Sequence, residues 1–263
     1  MMIDIHTHIL PAIDDGSQDM RQSLDQLKLM SKAGVSAVVL TPHYISNYYQ
    51  NDPSKIAAAT QKLAAAAEKA NIPITLHQGA EILLDSLSTE KIIAEHFAIN
   101  QTDYVLVESE MSSFPADLKQ LLYDLVRAGY KPILAHPERY GDIKKNPALV
   151  EDLMYRNVYM QINAGSLLDH YGKDCRKIAW QLIQNGWAHF LASDNHCRMK
   201  EYSLPPAVEL IRNNLDDYTA DLLSKDNPRR LLDNEKIEMF YVSEIAQAER
   251  LSPLKKIKNY LGW

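Results

Sequence analysis

The sequence predicts an α/β fold in which strands and helices alternate and a parallel sheet closes into a seven-stranded barrel. Three observations carry that expectation. Short apolar, often β-branched runs recur along the chain, with helical patterns between them. A length of 263 residues suits a single α/β barrel. Hydrophobic residues make up 46% and charged residues 24%, so there is apolar material for a large core and no compositional sign of disorder.

The strand candidates are Met2–Ile5, Ala37–Thr41, Ile74–Gln78, Tyr104–Glu108, Pro132–Ala135, Val158–Ile162 and His189–Ala192. Each has the length of a buried parallel strand. Helix Asp19–Ala33 carries Met20, Leu24, Leu27 and Met30 on one face, with Gly34 as a stop. Lys55–Ala70 is alanine-rich and opens with Asp52 and Pro53, a capping residue and a first-turn proline. Leu118–Ala128 ends at Gly129, and Ala148–Tyr155 and Asp174–Asn185 follow, the latter stopped by Gly186. Beyond about residue 205 the pattern turns helical, over Ala207–Leu215, Ala220–Leu223 and a last stretch near Glu244–Tyr260. Residues 1–263 therefore read as one barrel domain with a helical C-terminal extension over about 205–263.

The formal net charge of −6 gives no basic face for nucleic acid. Two cysteines, Cys175 and Cys197, are too few for a disulfide framework and fit a reduced, cytoplasmic setting. The first residues lack a basic leader, and Asp4, His6 and His8 interrupt their apolar run. No stretch approaches the roughly 20 apolar residues of a membrane helix.

Active sites of such barrels lie at the C-terminal strand ends. His6 and His8 close the first strand, two residues apart and so on one side of it. His43 follows the second in "VVLTPH", Glu81 the third in "ITLHQGAE", and Glu108 ends "DYVLVE". His136 ends "PILAHPER", and Asp194 and His196 end "HFLASDNH". Any one of these alone reads as a solvated loop residue. Their recurrence on six of seven strands points instead to one rim of imidazoles and carboxylates, the donor set of divalent transition metals. Carboxylates clustered without a cation would repel one another and take up protons. His77, His96, His170 and His189 fall outside this set and read as structural or surface residues.

"DIHTHILPAIDDG", "TPH", "GAEI", "LVE", "AHPER" and "ASDNH", in that order, resemble the PHP (polymerase and histidinol phosphatase) superfamily. More closely, they resemble bacterial manganese-dependent protein tyrosine phosphatases of capsule and exopolysaccharide synthesis. The resemblance implies a distorted (β/α)7 TIM-like barrel and three divalent metal ions. The expected ion is Mn2+, with Fe, Co or Zn also suited to nitrogen and oxygen ligands. It assigns His6, His8, Glu81 and Asp194 to one ion. Glu81, Glu108 and His136 go to a second, with Glu81 bridging, and Asp15, His43 and His196 to a third. Asp14 becomes a loop residue or a support behind the ligands. Arg139 matches a phosphate-binding arginine. A second such arginine has shifted spacing in "DNHCRMKEYS", where Arg198 is the choice and Lys200 lies nearby.

Three divalent cations against the carboxylates of Asp15, Glu81, Glu108 and Asp194 would leave a site near roughly +2, attractive to a phosphate ester. The expected substrate is a phosphotyrosine protein, in particular the tyrosine-rich tail of a bacterial tyrosine kinase. A small-molecule phosphatase, such as one for histidinol phosphate, is the alternative on the same scaffold, and a non-catalytic regulator that binds the kinase is a third reading. A cysteine-based route fails, because Gln181 and Ser203 stand six residues after Cys175 and Cys197, where an arginine is needed. The aromatic loop "YISNYYQN" could stack a phosphotyrosine ring or simply cover the barrel mouth. The basic tail "LSPLKKIKNYLGW" could touch a membrane surface or a partner, or pack as a terminal helix.

Overall fold

The computed structural model describes residues 1–199 and 201–238; the expected helix near 244–260, the basic tail and Lys200 lie outside the described residues. Each of the seven apolar runs forms a strand: β1 (Met2–Thr7), β2 (Val35–Leu40), β4 (Thr75–Gln78), β6 (Tyr104–Glu108), β7 (Lys131–Ala135), β8 (Tyr159–Asn163) and β9 (Phe190–Ala192). Two further short strands, β3 (His43–Tyr44) and β5 (Glu81–Leu83), continue β2 and β4. All pairings are parallel, in two sheets of order β1-β2-β4 and β3-β5-β6-β7-β8-β9.

The chain thus departs from seven unbroken strands, for a local reason. Pro42, between β2 and β3, has no N–H to donate to a ladder. Its carbonyl still accepts from the Glu81 amide at 3.1 Å, and Leu40 accepts from Gly79 at 2.9 Å. At the other edge, the Asp194 amide donates to the His6 carbonyl and the His8 amide to the Asn195 carbonyl, each at 3.0 Å. Loop residues beyond β9 are therefore held against β1.

Two apolar clusters follow from strand alternation. One lies between the sheets and the helices and includes Val38, Leu63, Leu134, Leu182 and Leu191. The other joins same-face pairs such as Tyr104 and Leu106 of β6, Ile133 and Ala135 of β7, and Phe190 and Ala192 of β9. Leu231 and Ile237 join this second cluster. The Tyr104 hydroxyl donates to the Glu235 carbonyl at 2.6 Å and that of Tyr159 to the Ile237 carbonyl at 3.2 Å. The chain after helix Asn227–Leu232 thereby covers the N-terminal strand ends.

The expected helices form with small boundary shifts, as Met20–Lys32, Pro53–Lys69, Leu118–Arg127, Leu149–Tyr155, Lys173–Gln184 and Leu204–Asn214. The Asp52 carboxylate caps the second, accepting from the Lys55 amide at 2.9 Å. Ser86–Glu95 is a helix the apolar periodicity did not predict. Its signal is a capping box: Asp85 accepts from the Ser88 amide, and the Ser88 hydroxyl accepts from the Asp85 amide. The expected Ala220–Leu223 segment divides between helix Asp217–Asp221 and a π-helical turn over Leu222–Asp226. No helix of the described residues is long and apolar enough to cross a membrane.

Candidate active site

Strand alternation builds this site as it builds the core. On β6 the same-face series runs Tyr104, Leu106, Glu108; from β9 it runs Phe190, Ala192, Asp194. The apolar members lie in the core and the last member reaches the C-terminal ends. There the backbone turns sharply: His136 and Asp194 have φ of 38° and 53°. The left-handed region costs a non-glycine residue roughly 1–2 kcal/mol, and such strain collects at functional sites. Gly16 serves the same place. A Cβ there would run into the carbonyl of His8, against which the loop folds as the Ser17 amide donates to it at 2.9 Å.

The side chains converge on a cavity of about 380 Å³. Asp15, His43, Glu81, Glu108, His136, Asp194 and His196 line it, with Arg139 and Arg198. His6 and His8 lie behind them, fully buried. Three groups have ligand atoms within 4.8 Å of one another: His6, His8, Glu81 and Asp194; His43, Glu81 and Glu108; and His8, Asp15, His43 and His196. The first matches the set implied for one ion. The others differ in membership. His136 reaches Glu81 at 2.9 Å, but the group containing Glu108 is completed by His43, whose Nδ1 lies 3.2 Å from both Glu81 and Glu108. The Asp15 group also takes in His8. The first difference places His43 at the junction of two groups, and the second does the same for His8.

The charges are compensated within the cluster. Burial alone would keep His6 neutral, but the Glu81 and Asp194 carboxylates outweigh it and push its pKa up to about 9. Burial likewise acts against the Glu81 and Asp194 carboxylates, yet the imidazoles around them hold both well below the usual range. Asp14, the support expected behind the ligands, binds His8 Nδ1 at 2.7 Å and accepts from the His43 amide at 3.0 Å. Against the cost of its burial, the His8 contact lowers its pKa to about 2.

The donor set fits divalent cations. Asp194 Oδ1, His43 Nδ1 and His136 Nδ1 are buried without a hydrogen-bond partner. His6 Nε2 and His8 Nε2 face each other at 3.1 Å, while their Nδ1 atoms bond to Gln161 and Asp14. Neutral rings so arranged oppose two lone pairs, a conflict that a shared cation or a proton resolves.

Arg139 donates to Asp194 Oδ2 at 3.1 Å, and its guanidinium lies 4.6 Å over the Tyr171 ring. Arg198 pairs with the Asp15 carboxylate in an exposed position. Sequence reasoning missed Tyr171 and, on β8, Gln161 and Asn163. Gln161 accepts from His6, and Asn163 donates to Asp194 at 2.7 Å. The signal was present: Tyr159, Gln161 and Asn163 repeat the alternation of β6 and β9, but they end in amides. Of the histidines set aside, His77 sits half-buried in β4, His96 caps Ser86–Glu95, and His189 is buried. His170 is exposed, as expected of a surface residue, yet lines the cavity. Cys197 sits nearby, but burial pushes its thiol up to about 11, unsuited to a thiolate nucleophile. In the aromatic loop, Tyr44 packs on Phe97, Tyr49 stacks 5.9 Å from His43, and Tyr48 is exposed.

The sequence aligns with tyrosine-protein phosphatase YwqE of Bacillus subtilis (strain 168), 32% identical over 239 residues, 90% of this chain and 93% of the relative. It aligns with a putative tyrosine-protein phosphatase CapC of Staphylococcus aureus at 35% identity over 196 residues, 74% of this chain and 77% of the relative. A solved structure from work on YwqE of Bacillus subtilis and CpsB of Streptococcus pneumoniae, described as unique metal-dependent tyrosine phosphatases, superposes with a TM-score of 0.85 at 32% identity, covering 91% of this chain and 97% of the other. The family model for capsular polysaccharide synthesis, CpsB/CapC, matches residues 2–233, so the chain belongs to that family.

Proposed function

We propose that this protein is a metal-dependent protein-tyrosine phosphatase acting in capsular or exopolysaccharide synthesis, with phosphotyrosine in the tail of a bacterial tyrosine kinase as its substrate. The observation that carries this reading is the meeting of imidazoles and carboxylates from six strand ends around one cavity, with Arg139 on its wall. Family membership and the names of the relatives support the same activity.

In this reading the chain is one domain in a cytoplasmic setting. Its two sheets form a distorted seven-stranded barrel, with β3 and β5 as continuations of β2 and β4. The hydrogen bonds from β9's end to β1 support that closure. His6, His8, Asp15, His43, Glu81, Glu108, His136, Asp194 and His196 would hold three divalent ions, with manganese first among the candidates. Bound there, such ions supply a Lewis acid for the phosphoryl oxygens and a nucleophilic water at neutral pH.

The chain's own residues do the rest. Arg139 binds non-bridging phosphoryl oxygens, with Asp194 and the Tyr171 ring fixing its plane. Arg198, at the exposed mouth beside Asp15, offers a second positive charge to the arriving phosphate. Tyr49, stacked beside His43, supplies an aromatic face for the substrate ring. Departing phenolate is a good leaving group among alkoxides, so little protonation by the protein is needed. The basic tail is left for a membrane surface or a partner.

The test joins metal analysis of the purified protein to phosphate release from a phosphotyrosine peptide and from histidinol phosphate. The expected result is several equivalents of divalent metal and preference for the peptide. Preference for histidinol phosphate would overturn the substrate assignment. Metal-loaded protein that binds the peptide and releases no phosphate would overturn the activity.

A further inference from the structure

We infer that Gln161 and Asn163 of β8 form a directional amide relay that positions His6 and Asp194 to hold a cation. This inference rests on the metal-site reading above. It concerns β8, a strand at the site that contributes neither imidazole nor carboxylate.

The links are short and buried. Asn163 Nδ2 donates to Asp194 Oδ2 at 2.7 Å, Gln161 Nε2 donates to Asn163 Oδ1 at 2.9 Å, and His6 Nδ1 meets Gln161 Oε1 at 2.7 Å. All four residues are buried. A carboxylate only accepts, so Asn163 must turn its NH2 toward Asp194 and its oxygen toward Gln161. Gln161 must then turn its NH2 toward Asn163 and its oxygen toward His6. His6 must in turn carry a proton on Nδ1. Amide orientation is usually a choice between alternatives; here the ionised Asp194 fixes it at every link.

Two consequences follow at the cation side. His6 is left with Nε2 as its one ligand atom, aimed at Glu81 and Asp194 at 3.1 and 3.4 Å. Asp194 has Oδ2 occupied by Asn163 and Arg139, which leaves Oδ1, buried among imidazoles without a hydrogen-bond partner, as its ligand atom. The relay thus selects one atom on each of two residues from opposite ends of the sequence. The backbone of Asn163 is itself fixed, its amide donating to buried Glu138 at 2.9 Å. Gln161 and Asn163 are positioning residues, because they act on the cation only through His6 and Asp194.

The test measures Mn2+ binding to the full-length metal-free protein by calorimetry, and the His6 tautomer by 15N NMR of the zinc-loaded protein. Wild type is expected to bind Mn2+ and to show the His6 proton on Nδ1. Gln161→Met keeps the volume and removes the acceptor, and should weaken Mn2+ binding roughly 10–100-fold with unchanged circular dichroism. Gln161→Glu restores an acceptor for His6 but offers Asn163 Oδ1 no donor, so it should recover only part of that loss. A merely structural glutamine would leave affinity and tautomer unmoved. Wild-type affinity in Gln161→Met overturns the relay and leaves the metal site standing. A His6 proton found on Nε2 in wild type also overturns it, even if the methionine variant does not fold. Wild type that binds no divalent cation overturns relay and metal site together.

Discussion

His6 and His189 are both buried histidines beside strands of the same fold, and their chemistry is opposite. At the C-terminal ends, His6 faces Glu81 and Asp194 and is pushed up to about 9. At the N-terminal ends, His189 faces no carboxylate among the described residues, and burial pushes it down to about 3. It stays neutral, its Nδ1 accepting from the Met160 amide at 3.0 Å beside the edge of Tyr159. Burial does not separate the two. What separates them is the charge that neighbouring strands deliver. One end of the strands collects carboxylates and imidazoles; the other is closed by Tyr104, Tyr159 and the chain through Ile237 with neutral hydrogen bonds. The first arrangement gathers donors that suit divalent cations, and the second holds the apolar core shut.

The contrast breaks most visibly when each end is cut at its own task. Asp194→Ala or His136→Ala should lower phosphotyrosine turnover by roughly 10³-fold or more while the thermal transition remains cooperative. Retained turnover would remove the chemical distinction between the ends. Phe190→Ala, only four residues before Asp194, should do the reverse. Denaturant titration is expected to give a loss of about 3–5 kcal/mol, with turnover per folded molecule kept. Smaller, but sharper, is Arg139→Ala. A loss of roughly 10–100-fold in kcat/KM, together with weaker inhibition by inorganic phosphate, is the expected outcome. Unchanged kinetics would mean that Arg139 serves Asp194 alone.

The smallest effect is in pH. The folded pKa of His189 lies below its unfolded value of 6.5, so its contribution to stability is full above that value and is lost as pH falls toward about 3. His189→Asn removes the titration. The stability gap between wild type and this variant should narrow by about 2 kcal/mol between pH 7 and pH 5. A gap that stays constant would show that His189 titrates alike in both states.

Much of the site was legible because strand alternation is a short-range rule. His6 and His8, two residues apart, had to point together, and Glu108 had to follow Leu106 on its face. Gln161 and Asn163 obey the same rule, but amides at a strand end carry no chemical signature until an imidazole and a carboxylate from β1 and β9 are seen beside them. Helix Ser86–Glu95 escaped because its apolar residues do not form a stripe, although its capping box stood in the sequence. The break of β2 at Pro42 could have been read from proline's missing donor.

By itself the sequence determined which residue types end which strands, since periodicity and hydrogen-bonding capacity are properties of neighbours along the chain. It also carried the family likeness in the order of its motifs. Only the tertiary structure decided that His43 joins two ligand groups, that Tyr171 stacks on Arg139, and which atom of His6 and Asp194 is left free. Those choices depend on distances between segments far apart in the sequence, and a carboxylate fixes an amide's direction only once folding has placed the two in contact.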